Sequence, residues 1–474
     1  TMSGSITTSG VRGYSIYNEG SSNTTTMSGN ITTSGEYGNG IYNKGDTNTT
    51  TMSGSITTSG TNNDGILNVG NTNTTTISGT IKSTGASSTA LYNYSGSGNS
   101  FTLDEGAIII GDILADDDAT NSKLIFNLGA STSYAYSVSG KGVGTGEGQW
   151  TISDLDGRTP VVTTGGTGCD TTITDANNTV CNLVTAVSVG FASNAEVQNE
   201  LSYLNNSAVV NSLRGAKATH KDAEGNGAWV DLYTGSSKRT ASTTDLTVLS
   251  FKSNTSGLTI GSPFMIGSAT QADFVFNTSR TNLDLSSAKD QTVKLYSNKV
   301  GLVLDDLAPT SGWNVGAFGL VGANSYKGTR KVMTNTSATG SESVTSSYRG
   351  TEVIVGASAD KVQPISDTIR FEGGIDFNYT NENIAKYSES KYFTWGSRRT
   401  THAAAGITAG LVYEKDGLTT FGTVGTQRSN LMSGKTATYT NNGTAGSYTD
   451  SAKSDTYNTV SIGVSYKGSN GMSL

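Results

Sequence analysis

Two cysteines, two histidines and four prolines among 474 residues remove several chemistries at the outset. So few soft ligands make a transition-metal centre a poor expectation. Charged residues reach only 15%, against about 25% in an ordinary globular chain. Bases number 31 and acids 38, a net charge of −7, so no basic field is available to hold nucleic acid. No run of about 18 apolar residues occurs, which excludes a transmembrane helix but leaves a membrane β-barrel open. The strings HExxH and GxSxG are absent. Gly434-Lys435-Thr436 ends like a phosphate loop, but Ser429 stands where the earlier glycine is required. His220 and His402 have no neighbouring nucleophile and read as loop or barrel residues. Asp116-Asp117-Asp118 reads as a solvated turn rather than a calcium site. No catalytic residue, metal site or cofactor is therefore expected. What is present is Ser, Thr, Asn and 60 Gly, with 21 Tyr and 12 Phe. That is the composition of a β-rich, turn-rich chain.

Cys169 and Cys181 have eleven residues between them. Such a pair closes a small loop in an oxidising compartment, worth about 3 kcal/mol on the loop-entropy model; the alternative is two unrelated thiols.

Self-similarity organises residues 1–100. Met2-Ser-Gly4-Ser-Ile6-Thr-Thr-Ser-Gly10 returns at Met27, Met52 and Ile77, a period of 25 residues without a slip. Thr1 falls inside this pattern, so the chain is expected to be clipped at its N-terminus. In the second half of each unit Ile16-Tyr17-Asn18 recurs as Ile41-Tyr42-Asn43, Ile66-Leu67-Asn68 and Leu91-Tyr92-Asn93. One unit cannot bury its own Met/Ile face, and stacking places like on like at about 4.8 Å per coil. The expectation is a parallel β-helix with Ile6, Ile31, Ile56 and Ile81 in one internal ladder and the threonines largely outside. Asn18, Asn43, Asn68 and Asn93 are expected inside, capping turn amides. A calcium roll is not expected, because GGxGxD is missing from these units. Its single copy, Gly165 to Asp170, reads as a turn.

Beyond Asn99 the repeat degrades. Phe101-Thr-Leu103 and Ala107 to Ile113 read as final coils, and Trp150 in Gly148 to Pro160 as a lid over the last of them. Residues 193–213 form the one convincing helix. Ser193 with Glu196 makes a capping box, and Val197, Leu201, Leu204 and Ala208 recur on one mild face. A polar linker, 215–227, follows.

From Ala228 the period changes to two. Asn458, Val460, Ile462, Val464 and Tyr466 alternate with Thr459, Ser461, Gly463, Ser465 and Lys467. Ten strands are predicted, at 228–236, 244–253, 257–268, 292–304, 312–325, 348–360, 365–379, 400–413, 418–428 and 457–467. Long polar loops are placed at 279–291, 328–347, 380–399 and 429–456. Strands of about ten residues with one apolar face suit a tilted membrane crossing. Trp229, Tyr233, Trp313, Tyr326, Tyr348, Tyr379, Tyr413 and Tyr466 suit interfacial girdles. A soluble β-sandwich would also alternate; strand length and low charge favour the membrane.

The order of parts, from β-helix repeats through the Gly148–Pro160 stretch and the 193–213 helix to Ala228-Trp229-Val230-Asp-Leu232-Tyr233-Thr-Gly235, resembles the monomeric autotransporters of type V secretion. The resemblance implies an all-β chain: a β-helix passenger (1–113), its capping segment (114–192), a pore helix with linker (193–225) and an antiparallel membrane β-barrel (226–474). The family's barrel has twelve strands and ends in a terminal aromatic, so this one is expected to be incomplete, about ten of twelve, with an open side. The resemblance further implies residence in the cell outer membrane with an extracellular passenger. Expected partners are outer-membrane lipid, the barrel-assembly machinery and a ligand on a host or neighbouring cell. The function expected is self-export and display, for adhesion or aggregation. The alternatives are a translocator whose enzymatic passenger lay upstream, or a porin-like channel. Some relatives cleave themselves between two helix asparagines, which points to Asn205 and Asn206, although the surrounding Ser202-Tyr-Leu204 and Ser207 do not otherwise match the cleaving group.

Overall fold

The structure, a computed structural model, describes residues 1–127, 133–155, 160–164, 182–187, 200–213, 228–239, 250–266, 270–285, 291–305, 307, 313–416, 418–441, 443–449 and 455–466. The chain divides into two compact units. Cys169, Cys181, His220, Val197 and the Gly165–Asp170 string lie outside the described residues.

The first unit comprises Thr1–Phe191 with Lys331–Val344 and Asn441–Thr444. Each 25-residue repeat makes three short strands, and each strand pairs in parallel with its counterpart one coil away, giving three sheets around one core. Ile6 stands against Ile31, Ile31 against Ile56, and Ile56 against Ile81, so the expected ladder is present. Ile109 extends it. Met27, Met52 and Ile77 form a second buried column. Each such side chain removed from water contributes roughly 1.5–3 kcal/mol. Coils approach so closely at the turns that a Cβ on Gly54 would lie 1.8 Å from the Gly29 carbonyl oxygen, which explains the invariant glycine of the repeat.

Two details of the expected interior are corrected. Threonine is not confined to the outside: Thr33, Thr50, Thr58 and Thr75 are fully buried. A buried hydroxyl is tolerable where it finds a hydrogen-bond partner, and here Asn43 donates to Thr50 Oγ1 at 3.3 Å. The asparagines at 18, 43, 68 and 93 are inside, but each bonds the next. Nδ2 of Asn18, Asn43 and Asn68 donates to Oδ1 of the following member at 2.7, 2.9 and 3.0 Å. The turn amides are capped by a second column, in which the backbone N–H groups of Asn23, Asn48 and Asn73 donate to Oδ1 of Asn48, Asn73 and Asn99.

The stack also continues past residue 113. Ser122–Asn127 pairs with Ser100–Asp104, and Trp150–Asp154 with Ser122–Asn127. Trp150 is therefore a rung rather than a lid. It is fully buried, with its indole N–H on the Ser139 carbonyl at 2.9 Å. Asp116 accepts the Tyr92 hydroxyl at 2.6 Å and Asp117 pairs with Lys141 at 3.3 Å.

The second unit comprises Ala192–Arg330, Thr345–Thr440 and Ala445–Leu474. Its antiparallel strands are β1 (Trp229–Arg239), β2 (Phe251–Ile266), β3 (Thr270–Leu285), β4 (Thr292–Leu304), β5 (Asn314–Met333), β6 (Ser341–Pro364), β7 (Ile369–Ile384), β8 (Arg398–Lys415), β9 (Leu418–Ser433) and β10 (Asp455–Tyr466). Sequence neighbours pair throughout, and β1 pairs with β10 from Leu232↔Val464 to Ser237↔Thr459. The ten strands therefore close into a barrel, and the open side expected from two missing strands is not there. The predicted count of ten is met by a different division. The segments 244–253 and 257–268 were expected as two strands, but 251–266 is one, and β3 was not expected: its first nine residues lie between the predicted elements and its last seven where the 279–291 loop was expected. Half of the expected girdle aromatics face inward: Trp229, Tyr233, Tyr326 and Tyr348 are buried, while Trp313, Tyr379 and Tyr413 are exposed.

Candidate functional site

Residues 200–213 form a helix in the second unit, and almost every side chain on it is buried. Its polar side chains reach the barrel wall in every direction. Glu200 pairs with Arg239 of β1 at 3.1 Å and takes the hydroxyl of Tyr457 on β10. Tyr203 stacks on His402 of β8, their ring centroids 6.2 Å apart. Asn205 donates to Ser279 and Thr281 of β3 at 2.9 and 3.1 Å, and its Oδ1 accepts from Lys299 of β4 at 2.7 Å. Asn206 donates to Glu352 of β6 at 2.9 Å, and Ser207 to Gln427 of β9 at 2.6 Å. Ser212 donates to Asp231 of β1 at 2.5 Å and shares a hydrogen bond with Thr259 of β2. Val209, Val210 and Leu213 pack in one cluster with Trp229, Tyr233, Phe318 and Leu320. A helix that touches strands on all sides of a closed barrel lies in its lumen.

The helix also has a direction. Its Glu200 end meets Arg239, the last residue of β1, and its Ser212 end meets Asp231, near the start of β1. The chain thus runs down the lumen from the end of the long loops to the end of the short turns, where β1 begins. At 1.5 Å per residue the described helix spans about 21 Å. The apolar contacts differ from those expected. Leu201 and Leu204 are buried as predicted, and Ala208 of the expected face joins the cluster at the Ser212 end, which also takes Val209, Val210 and Leu213 from outside that face.

Midway along, Lys299 and Glu352 form a fully buried ion pair at 2.8 Å. Glu352 also accepts from Ser202 at 3.2 Å, so one carboxylate holds two helix residues and one wall cation. Beside it Glu382 accepts Tyr326 and Asn324 at 2.5 and 2.7 Å. Isolated buried charges are costly; Glu352 meets the Lys299 cation, and Glu382 Oε1 meets two donors. Asn205 and Asn206, singled out in the sequence, are thus central to the site. Lys299, Glu352, Glu382, Arg239 and Glu200 were not singled out. For the four on strands the signal was a charge on an inward face that otherwise carries mostly small or neutral residues, and for Glu200 a charge on a helix with few others.

A lysine on Asn205 Oδ1 draws electron density from that amide. The nearest carboxylate, however, touches Asn206 and not Asn205 Nδ2, whose partners are two hydroxyls. The ground-state arrangement therefore clamps the helix. Among the described residues no group of three or more His, Cys, Asp or Glu is placed to hold a metal ion.

Comparison with known proteins gives one family: the model of the autotransporter β-domain matches residues 228–474. Among solved structures, the translocator domain of autotransporter NalP from Neisseria meningitidis is 16% identical, with 59% of this chain and 97% of that one covered at a TM-score of 0.37. The β-domain of the Bordetella autotransporter BrkA is 14% identical over 51% of this chain and 99% of its own, TM-score 0.32. The outer-membrane protease OmpT of Escherichia coli is 11% identical over 50% and 95%, TM-score 0.30. The comparison with curated protein sequences gave no match.

Proposed function

Because the chain belongs to the autotransporter β-domain family, an outer-membrane secretion family with extracellular passengers, we propose that it displays its own solenoid as an adhesive surface for a carbohydrate-bearing ligand on another cell. The observation that supports adhesion is an aromatic column on the outer face of the second solenoid sheet. Tyr17, Tyr42, Leu67 and Tyr92 stand in register one above the next. Tyr14, Tyr17 and Tyr42 are mutual neighbours with ring centroids 5.2–5.5 Å apart. Tyr17 is 41% exposed, on a surface otherwise dominated by Ser, Thr and Asn. Aromatic rings with polar tips suit ligands that are apolar on one face and hydroxylated at the rim, such as pyranose rings. Outer-membrane lipid around the barrel and the barrel-assembly machinery complete the proposed partners.

The test is attachment of cells displaying the full chain to immobilised glycans, compared with cells displaying Tyr17→Ser/Tyr42→Ser at equal surface density. At least a fivefold loss is expected. Equal attachment would remove the aromatic column from the adhesive surface.

A second reading follows from Lys299 on Asn205 Oδ1. In it Asn205 Nδ2 attacks its own main-chain carbonyl carbon. The new Nδ2–C bond closes a succinimide, the bond to the Asn206 nitrogen breaks, and the Nδ2 proton passes to that leaving amine. A new N-terminus at Asn206, absent in Asn205→Gln and reduced in Lys299→Met, supports it; an intact chain in the purified membrane protein rules it out.

A further inference from the structure

The outward face of the barrel changes character along every strand. Apolar side chains such as Ile260, Phe276, Val300, Val353, Ile407 and Val424 give way to polar ones toward the long-loop end. In that polar zone the charges are almost all of one sign. Arg280 on β3, Arg349 on β6, Arg399 on β8 and Arg428 on β9 are exposed there. Lysines fill the same zone on β1, β2, β4 and β5, and they stand in pairs. Lys238 is directly opposite Lys252, and Lys294 directly opposite Lys327. Among the described residues of these strands the one outward acid in the zone is Asp284, opposite Lys252.

Like charges directly opposite on neighbouring strands, their Cβ atoms about 4.5–5.5 Å apart, destabilise a sheet. Asp284 opposite Lys252 offsets part of this cost at the first pair, whereas Lys294 has the neutral Asn282 on its other side, so an anion between the ammonium groups relieves the second pair most. The height matters too. A cation on the lipid face is costly at the midplane and nearly free near the interface, where long basic side chains extend to the headgroups. Two of the arginines are held in place: Arg280 Nε donates to Asn282 Oδ1 at 3.0 Å with its guanidinium over the Tyr296 ring, and Arg399 Nε donates to Asn381 Oδ1 at 2.8 Å.

We propose that these eight outward cations form a ring that binds the phosphate groups of lipid headgroups in the membrane leaflet at the long-loop end. Each lysine pair makes a two-pronged clamp, and each guanidinium offers forked donors to phosphate oxygens. The ring fixes the height of the barrel in the bilayer and gathers phosphorylated lipid around the mouth through which the helix enters.

The test titrates the purified full chain, in zwitterionic detergent micelles, with bisphosphorylated lipid A, with the same lipid stripped of its phosphates, and with inorganic phosphate. The bisphosphorylated lipid is expected to bind at least tenfold more tightly than the stripped one, and more weakly as salt is raised. Replacing Lys238, Lys252, Lys294 and Lys327 by Gln is expected to remove at least tenfold of that affinity. Lys361→Gln, which lies at the opposite end of β6, is expected to change nothing. If the fourfold variant does not fold, each lysine pair is replaced separately, with about a threefold loss expected from each. Equal binding of the stripped lipid, unchanged affinity in the folded variants, or submillimolar binding of inorganic phosphate would each overturn the proposal, the last by assigning the site to free phosphate.

Discussion

Asn68 sits in the middle of the internal asparagine column, fully buried. It accepts from Asn43 at 2.9 Å and donates to Asn93 at 3.0 Å. Replacing it with alanine removes one acceptor and one donor at once, leaving Asn43 Nδ2 with only its long contact to Thr50 and Asn93 Oδ1 without the donor from Asn68. Each buried polar group deprived of its partner costs about 1–3 kcal/mol, so Asn68→Ala should cost about 2–5 kcal/mol. Asn18 is the end member and half-buried, and it gives up only its link to Asn43 and its bonds with Thr25. Asn18→Ala should therefore cost about 1 kcal/mol. Because each coil touches only its neighbours, the loss should be local. Amide hydrogen exchange on the full chain reads it directly. Asn68→Ala should accelerate exchange about 30- to 3,000-fold in residues 41–96, since about 1.4 kcal/mol is a factor of ten. Asn18→Ala should accelerate the first coil only modestly. Equal effects from the two substitutions, or an acceleration spread evenly over all coils, would refute the assignment of stability to the ladder.

Asp64 is buried with its carboxylate on the Thr89 N–H at 3.0 Å, and burial raises its pKa to about 7. The folded chain thus holds a proton that the unfolded chain, with a carboxyl near 3.9, releases. Stability of that coil should be fully present below pH about 4, fall as pH rises to about 7, and stay flat above it. Asp64→Asn, which matches Asn39 one coil earlier and keeps the acceptor, should abolish the slope and slow exchange at pH 8; an unchanged slope would assign it elsewhere. In the barrel, Lys299→Met should lower stability by about 3–5 kcal/mol by stranding Glu352, and Lys299→Met/Glu352→Leu should recover most of it, read as the temperature of the heat-induced gel shift. Deleting 200–213 should raise single-channel conductance several-fold, and an unchanged conductance would show that the helix does not fill the lumen. Cys169 and Cys181 should pair after export, so two free thiols by mass spectrometry in the outer-membrane protein would exclude the disulfide.

The solenoid was legible in the sequence because its period is both the structural and the chemical unit. A slip-free repeat of 25 residues places Ile31 on Ile56 whatever the details of the turns. Its interior was harder to read, since Thr50 and Asn43 look like surface residues until each is seen to satisfy the other. The barrel shows the opposite limit. Alternation was clear over most of the apolar belt, as around Ile407 and Val424, although the stretch carrying Phe274 and Phe276 on β3 was missed. It failed where strands run on past the apolar belt, because both faces are then polar. That is why Ser279 to Leu285 within β3 read as loop, and why the ends of β5, β6, β7 and β9 were assigned to connections.

The same blindness covers the lumen, for a different reason. Alternation shows that Lys299 and Glu352 face inward, but not that they meet. They lie on β4 and β6, with β5 between them, and their height in the lumen depends on the stagger accumulated strand by strand. A shift of two residues in any one register would keep every inward face inward and still separate the pair. The inward charges therefore test the register more sharply than any apolar contact does, because a greasy wall tolerates a slide that a buried ion pair does not. The helix follows the same logic. Its apolar positions fit many places along the lumen, whereas Glu200 with Arg239 at one end and Ser212 with Asp231 at the other fix one height and one direction. The helix therefore enters the lumen at the long-loop end and leaves it where β1 begins.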